Sequence, residues 1–285
     1  MKNKSEIAMM LMGGFGNQIF QICRLHEYKK LNIRVYADTS NYKKSKKELS
    51  TTNRELLLPI SLFELEELNK YKRYFINFLA KIQKTKVYPF NLNFYQEIND
   101  YNWEKVDLKR FNKAIGYWQD SSLITKNKQF LVNSLSKNEL FLEAFNKPVI
   151  SGSTVLHIRR GDYLKLDENL SNKFYEKALD LCANNIKNFY FNIFTDDREW
   201  VKSNKLFKDA NKIYSDDSHN VNVKNSFANM LNNENYIVGN STFPLLAALL
   251  SETNKSLIII ADPWFRNKER NLNLNNKWIK IENIK

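Results

Sequence analysis

The run Val155-Leu156-His157-Ile158-Arg159-Arg160-Gly161-Asp162-Tyr163 concentrates more chemistry than any other stretch of this 285-residue chain. Apolar residues that read as a short buried strand give way to two adjacent arginines, a glycine and an acid. Two guanidinium groups are too costly to bury without anionic partners. At a strand end their planar forks can take phosphate oxygens two at a time, and Gly161 lets the backbone turn or approach a ligand closely. Two readings stay open. One is an anion clamp for a phosphate or diphosphate; the other is a turn whose arginines pair with Asp162 and nearby acids.

Four further groups of residues carry possible chemistry. Gly13, Gly14 and Gly16 open a helix whose N-terminus would present N–H groups and a partial positive charge, or they simply make a tight strand–helix turn. Asn17 and Gln18, amides that donate and accept, are placed to orient a hydroxyl or a phosphate. Asp196 and Asp197 follow an apolar run. A carboxylate there would accept from the N1–H and 2-amino group of guanine, or cap the helix that begins near Arg198. Ser241 and Thr242 precede another helix and would bond a phosphate or act as its cap. His157 would help hold a base or ribose, or serve as a satisfied structural residue.

The opening and closing groups are similar to the motifs of the α-1,2-fucosyltransferase family. The run at 157–163 resembles its HxRRGDY signature, and Gly13-Gly14-Phe15-Gly16-Asn17-Gln18 resembles its GGLGNQ opening, with Phe15 for the leucine. Phe194-Thr195-Asp196-Asp197 resembles F(S/T)DD, and Asn240-Ser241-Thr242-Phe243 resembles NS(S/T)F. All stand in family order across roughly residues 8 to 265. After Phe243 this chain has Pro244-Leu245-Leu246 where the family has Ser-Trp-Trp, which leaves open a changed pocket or a repacked helix. The resemblance implies an inverting, hexosyl-transferring enzyme that moves fucose from GDP-fucose to the 2-hydroxyl of a galactoside on a surface glycan or oligosaccharide. Arg159 and Arg160 would then hold the donor diphosphate, with Gly14, Gly16, His157, Asp196, Asp197, Ser241 and Thr242 completing the donor site. Asn17 would lie at the reaction centre and Asp162 would be the nearest candidate base. Another nucleotide sugar on the same scaffold, or a non-catalytic glycan-binding relative, is the alternative.

Elements that position these residues follow from the apolar patterning. Strands are expected at 7–12, 33–37 and 114–118, helices at 17–31 and 121–146, and one or two amphipathic helices within 62–82. From residue 154 onward, strands at 154–158, 189–194, 212–214, 236–238 and 256–260 alternate with helices at 172–185, near 198, at 224–231 and at 243–250. Pro148, followed by Ser151-Gly152-Ser153, is the best linker. The expected fold is therefore α/β and GT-B-like, with two Rossmann-like domains facing across a cleft. Residues 1–148 would be the N-terminal, acceptor-side domain and 149–285 the nucleotide-sugar domain.

Composition sets the outer bounds. Hydrophobic residues make up 43% and charged residues 26%, as in an ordinary globular chain rather than a disordered one. Neither Cys23 nor Cys182 sits in a CxxC pair, so both are expected as small buried hydrophobes. The three histidines lack zinc-ligand spacing and no Asp-x-Asp triplet occurs, so no cofactor or metal is expected. The N-terminal stretch lacks the long apolar run of a signal peptide or anchor, which makes a cytoplasmic protein the expectation. The net charge is +13. Without an aromatic-interleaved basic motif, nucleic acid is not an expected partner; peripheral attachment to an inner membrane surface fits the lysine-rich stretches better.

Overall fold

Short apolar runs closed by glycine or acid residues build two parallel sheets. The computed structural model describes residues 6–42, 55–84, 95–98, 111–215, 220–266, 272 and 275–284. Chain contacts divide it into two units, Met1–Trp118 and Gln119–Lys285.

In the first unit, β1 (Glu6–Met10) leads through Gly13 and Gly14 into α1 (Phe15–Lys30), then β2 (Arg34–Asp38). There follow β3 (Glu66–Glu67), α2 (Lys70–Lys84), β4 (Tyr95–Ile98) and β5 (Phe111–Ile115). Every pairing is parallel, in the order β3-β2-β1-β5-β4. Two buried amides tie the carboxyl ends of its central strands to α1. Gln21 Oε1 accepts from the Met12 N–H at 3.0 Å and its Nε2 donates to the Gly116 carbonyl at 2.7 Å. Gln18 Nε2 donates to the carbonyls of Glu55 (2.8 Å) and Gly13 (3.2 Å), while its Oε1 accepts from the Leu57 N–H (3.2 Å).

The second unit opens with three helices, α3 (Ser121–Lys126), α4 (Lys128–Leu135) and α5 (Glu139–Asn146). The alternation then runs β6 (Ile150–Ile158), α6 (Gly161–Leu166), α7 (Asn172–Asn185), β7 (Tyr190–Thr195) and α8 (Arg198–Ser203). It continues with β8 (Lys212–Ser215), α9 (Asn220–Met230), β9 (Asn233–Gly239), α10 (Thr242–Ser251), β10 (Ile258–Asp262) and β11 (Ile279–Glu282). The sheet order is β11-β10-β9-β6-β7-β8, all parallel. Counted from β6, this is the doubly wound order 3-2-1-4-5-6, whose direction reverses between its first and fourth strands. Near-continuous apolar runs such as Tyr236-Ile237-Val238 and Ile258-Ile259-Ile260 suit strands covered on both faces. One face packs Phe174, Tyr175, Ala178 and Cys182 of α7.

Several expectations need correction. The break between the units falls after Trp118, not at Pro148. Helices α3 and α4 pack on α10, and α5 packs on α9, so their apolar faces are covered by the second unit. Ser151-Gly152-Ser153 is not a linker but the first half of β6, with Gly152 taking a left-handed φ of +76°. Helix α2 starts only at Lys70, after a 3₁₀ turn at Ile60–Phe63. Cys23 and Cys182 are free and buried as expected, and burial pushes the Cys182 thiol up to about 12. Among the described residues no helix is long and apolar enough to cross a membrane.

The Gln21 bridge makes a first prediction. Gln21→Ala removes the partner of a part-buried N–H and a part-buried carbonyl, and should lower unfolding stability by about 1–2 kcal/mol. Urea unfolding would read this as a reduced midpoint at constant slope; an unchanged midpoint would mean the bridge contributes nothing.

Candidate functional site

In open parallel sheets ligands bind beyond the carboxyl ends of the strands where the order reverses. In the second unit that point lies between β6 and β9, and Arg159 and Arg160 leave β6 there, directly after Ile158. Their surroundings separate them. Arg159 Nε and Nη2 both reach Asp162 Oδ1, at 2.8 and 2.7 Å, and Nη1 reaches Asp196 Oδ2 at 2.8 Å. Burial works against the Arg159 charge, but Asp196 and then Asp162 outweigh it and hold the guanidinium above its ordinary range. Arg160 donates its main-chain N–H to Asp196 Oδ1 at 2.8 Å and Nε to Asp197 Oδ2 at 3.0 Å. Its guanidinium lies 3.9 Å from the centre of the Trp200 ring, within cation–π range. Its two terminal nitrogens have no hydrogen-bond partner among the described residues. Arg159 is thus spent on internal acids, whereas Arg160 keeps one edge of its fork open.

Both aspartates are committed inside the protein. Asp196 spans the arginines, taking a side chain from one and a main-chain N–H from the other. Asp197 caps α8 by accepting from the Trp200 N–H at 3.1 Å, which is the capping role the sequence left open. Gly161 is required by this packing: a Cβ there would sit 2.8 Å from Asp196 Oδ2. Asp162, with two donors from Arg159 on one oxygen, holds that arginine in place.

His157 is buried, with its ring centre 6.1 Å from that of Phe243 in an edge-on arrangement. Burial first, and then the Arg159 charge, push its pKa down to about 3, so it is neutral near pH 7. Ser241 occupies the cap position of α10 without a side-chain cap bond, and Thr242 begins that helix. Tyr163 Oη donates to the Asn240 carbonyl at 3.0 Å, joining α6 to the end of β9. Pro244, Leu245 and Leu246 are buried in α10, so the departure from the Ser-Trp-Trp wording is a repacked helix.

The remaining candidates lie at the corresponding point of the first unit, where β1 and β5 end. Gly13 takes a left-handed φ of +80°, and a Cβ there would lie 2.6 Å from Asn17 Nδ2. Gly14 precedes α1 with nothing within 4 Å of where its Cβ would stand. Gly16 is buried in the first turn, while Asn17 is half-buried beside it. Gln18 does not orient a ligand; it is 2% exposed and its amide is used on main-chain groups. Sequence reasoning missed Trp200, whose only signal is an aromatic three residues after the capping Asp197. Among the described residues no group of three His, Cys, Asp or Glu side chains is placed to hold a metal ion.

Comparison with known proteins adds a family. The model of Glycosyl transferase family 11 matches residues 4–282. The alpha-1,2-colitosyltransferase of Escherichia coli is similar, 24% identical over 98% of this chain and 99% of its own length. The O-antigen biosynthesis glycosyltransferase WbnK of Escherichia coli is also 24% identical, over 95% of this chain and 99% of its own. A structure of an Arabidopsis thaliana FUT1 mutant in complex with GDP matches at a TM-score of 0.49 and 10% identity, over 90% of this chain and 70% of that one.

The two arginines should respond oppositely to truncation. Arg159→Ala strands two largely buried carboxylates and should cost roughly 3 kcal/mol of stability, somewhat less than a fully buried pair because some solvent contact remains. Arg160→Ala should shift the melting temperature little. Equal losses in both variants would contradict the division seen here. His157 gives a pH dependence. Its folded pKa of about 3 lies below the ordinary histidine value of 6.5, so the unfolded chain binds the extra proton and stability falls as pH drops from about 6.5 towards 3. His157→Gln should flatten that acid slope by up to about 1.4 kcal/mol per pH unit; parallel profiles for variant and parent would exclude a buried neutral ring.

Proposed function

The chain belongs to glycosyl transferase family 11, and on that premise we propose that it moves fucose from GDP-fucose to the 2-hydroxyl of a galactoside, with inversion and without a metal. The observation that carries this reading is the Arg160 guanidinium, placed over Trp200 and with no hydrogen-bond partner at its two terminal nitrogens among the described residues, at the switch point of a doubly wound sheet. The acceptor oxygen attacks the anomeric carbon as the bond to the diphosphate breaks; the electron pair goes to the phosphate oxygen and the hydroxyl proton is released. Negative charge builds on the leaving diphosphate, where two parallel N–H donors from Arg160 are worth most because they need no reorganisation. Arg159, Asp162 and Asp196 hold the loop in that state beforehand. The N-terminus of α10, ten residues long, supplies a second positive end beside Ser241 and Thr242.

In this reading the second unit binds the donor and the first the acceptor, with Asn17 orienting the reacting sugar. Asp162 is a positioning group, because its Oδ1 already takes two nitrogens of Arg159. His157 acts as a neutral wall beside Phe243. Because Asp196 and Asp197 are engaged with the arginines, selection of guanine by those carboxylates would require them to exchange partners. The relative named a colitosyltransferase supports a second reading, in which another nucleotide-linked sugar uses the same site.

A panel of nucleotides and nucleotide sugars separates the readings. GDP should raise the melting temperature more than ADP or UDP does, and GDP-fucose should turn over in excess chelator. Equal stabilisation by all three nucleotides would remove the guanine assignment, and loss of turnover restored by a divalent cation would remove the arginine mechanism. Arg160→Ala should lower kcat/KM by on the order of 10²-fold. Arg160→Lys should recover only part, since an ammonium keeps charge but not the fork.

A further inference from the structure

Helix α2 carries a second apolar face, turned away from the sheet, and we propose that this face docks the protein onto an anionic lipid bilayer. The inference does not depend on the donor or the reaction. The inner side of α2 is well determined by its contacts. Ile76 is buried in a small core with Ala8, Tyr36 and Leu68. Lys72 Nζ pairs with Glu6 at 2.8 Å and Arg73 Nε with Asp38 at 2.8 Å. The Lys72 ammonium also lies 3.9 Å from the centre of the Tyr36 ring. Two ion pairs on one side of Ile76 and its neighbours leave the helix a single rotation about its axis.

With that rotation set, Tyr71, Tyr74, Phe75 and Phe78 fall on one outward stripe, the i, i+3, i+4, i+7 spacing that normally marks a core-facing side. They are 74%, 73%, 58% and 59% exposed. Isolated exposed apolar residues need no explanation, but a contiguous aromatic stripe does. Exposed Lys70 and Lys81 lie beside it, and Lys70 Nζ stands 5.1 Å from the centre of the Tyr71 ring.

The charge pattern selects the occupant. Every charged residue of α2 is basic, and the chain as a whole carries +13. Aromatic side chains with an apolar body, bordered by lysines, are the composition of a helix lying in the headgroup layer of a membrane. At 15 residues α2 is too short to span a bilayer and of suitable length to lie along one. A protein partner would need an acidic apolar groove to match; an anionic leaflet offers both properties over an unlimited area.

Co-sedimentation of the full chain with vesicles tests this. Vesicles of phosphatidylglycerol and phosphatidylethanolamine should bind it at least roughly tenfold more tightly than phosphatidylcholine vesicles, with the preference falling as salt rises. The variant Tyr74→Ser/Phe75→Ser/Phe78→Ser should lose roughly tenfold or more of that binding at an unchanged melting temperature. Lys70→Glu/Lys81→Glu should lose roughly fivefold per charge on the anionic vesicles only, and it decides alone if the serine variant melts early. Parent protein that ignores both vesicle types would overturn the proposal, as would serine and lysine variants that bind like the parent. A dimer in sedimentation analysis that the serine variant turns into a monomer would also overturn it, by assigning the face to a second copy.

Discussion

The contact between Arg159 and Asp196 is set by sheet register before it is set by charge. Strands β6 and β7 are parallel neighbours with His157 opposite Phe194 and Ile158 opposite Thr195. The next pair outward is then Arg159 beside Asp196, and the one after it Arg160 beside Asp197. Two consecutive guanidinium groups at the mouth of a largely dry sheet would repel one another and the interior unless acids met them one for one. The parallel register delivers those acids without any special loop. Slipping the pairing by one residue would carry Asp196 away from Arg159 and leave that guanidinium beside Thr195 or Asp197 instead. The packing of the sheet and the neutralisation of the arginines therefore enforce each other.

That mutual enforcement explains why two identical side chains behave differently. Arg159 is met from both sides, by Asp196 from the neighbouring strand's end and by Asp162 in the first turn of α6. Among the described residues Arg160 is met at its main chain and at Nε, and Trp200 supports its face. A guanidinium held on one edge and stacked on an indole has lost most of its rotational freedom while keeping its outer donors. Such a group is preorganised towards an anion, and preorganisation is where electrostatic assistance gains its magnitude. Asp197 contributes twice, since the carboxylate that steadies Arg160 also caps the helix carrying Trp200.

Much of this was legible in the sequence, because apolar runs ending in glycine, arginine or acid mark strand ends, and strand ends hold the site. Helix 172–185 and the strands around it were readable from periodicity alone. Other features were not. Helix α6 has six residues and none is buried, so it leaves no apolar period. The amphipathic character of 121–146 shows that these segments cover something, but not which unit they cover. Asn17 and Gln18 are chemically alike in the sequence; a helical step of about 100° carries one amide to the rim and the other into the core. In α2 the periodicity predicts an amphipathic helix but not its rotation; the ion pairs of Lys72 and Arg73 and the burial of Ile76 show which face meets the sheet.

The substitution at 244–246 shows how a motif can change wording and keep its geometry. Helix α10 is buried along its length from Pro244 to Leu250, so its side chains contribute core volume and its N-terminal end is its polar part. Leu245 and Leu246 are fully buried there, while the ring of Phe243 beside them meets those of Phe227 and His157. Proline at the third helical position removes one N–H from a turn whose N–H groups have no intrahelical partner in any case, and so leaves the helix intact. It also leaves the end of α10 with one donor fewer for an anion. In the proposed reading more of the burden of holding negative charge then falls on Arg160, whose terminal nitrogens have no hydrogen-bond partner among the described residues.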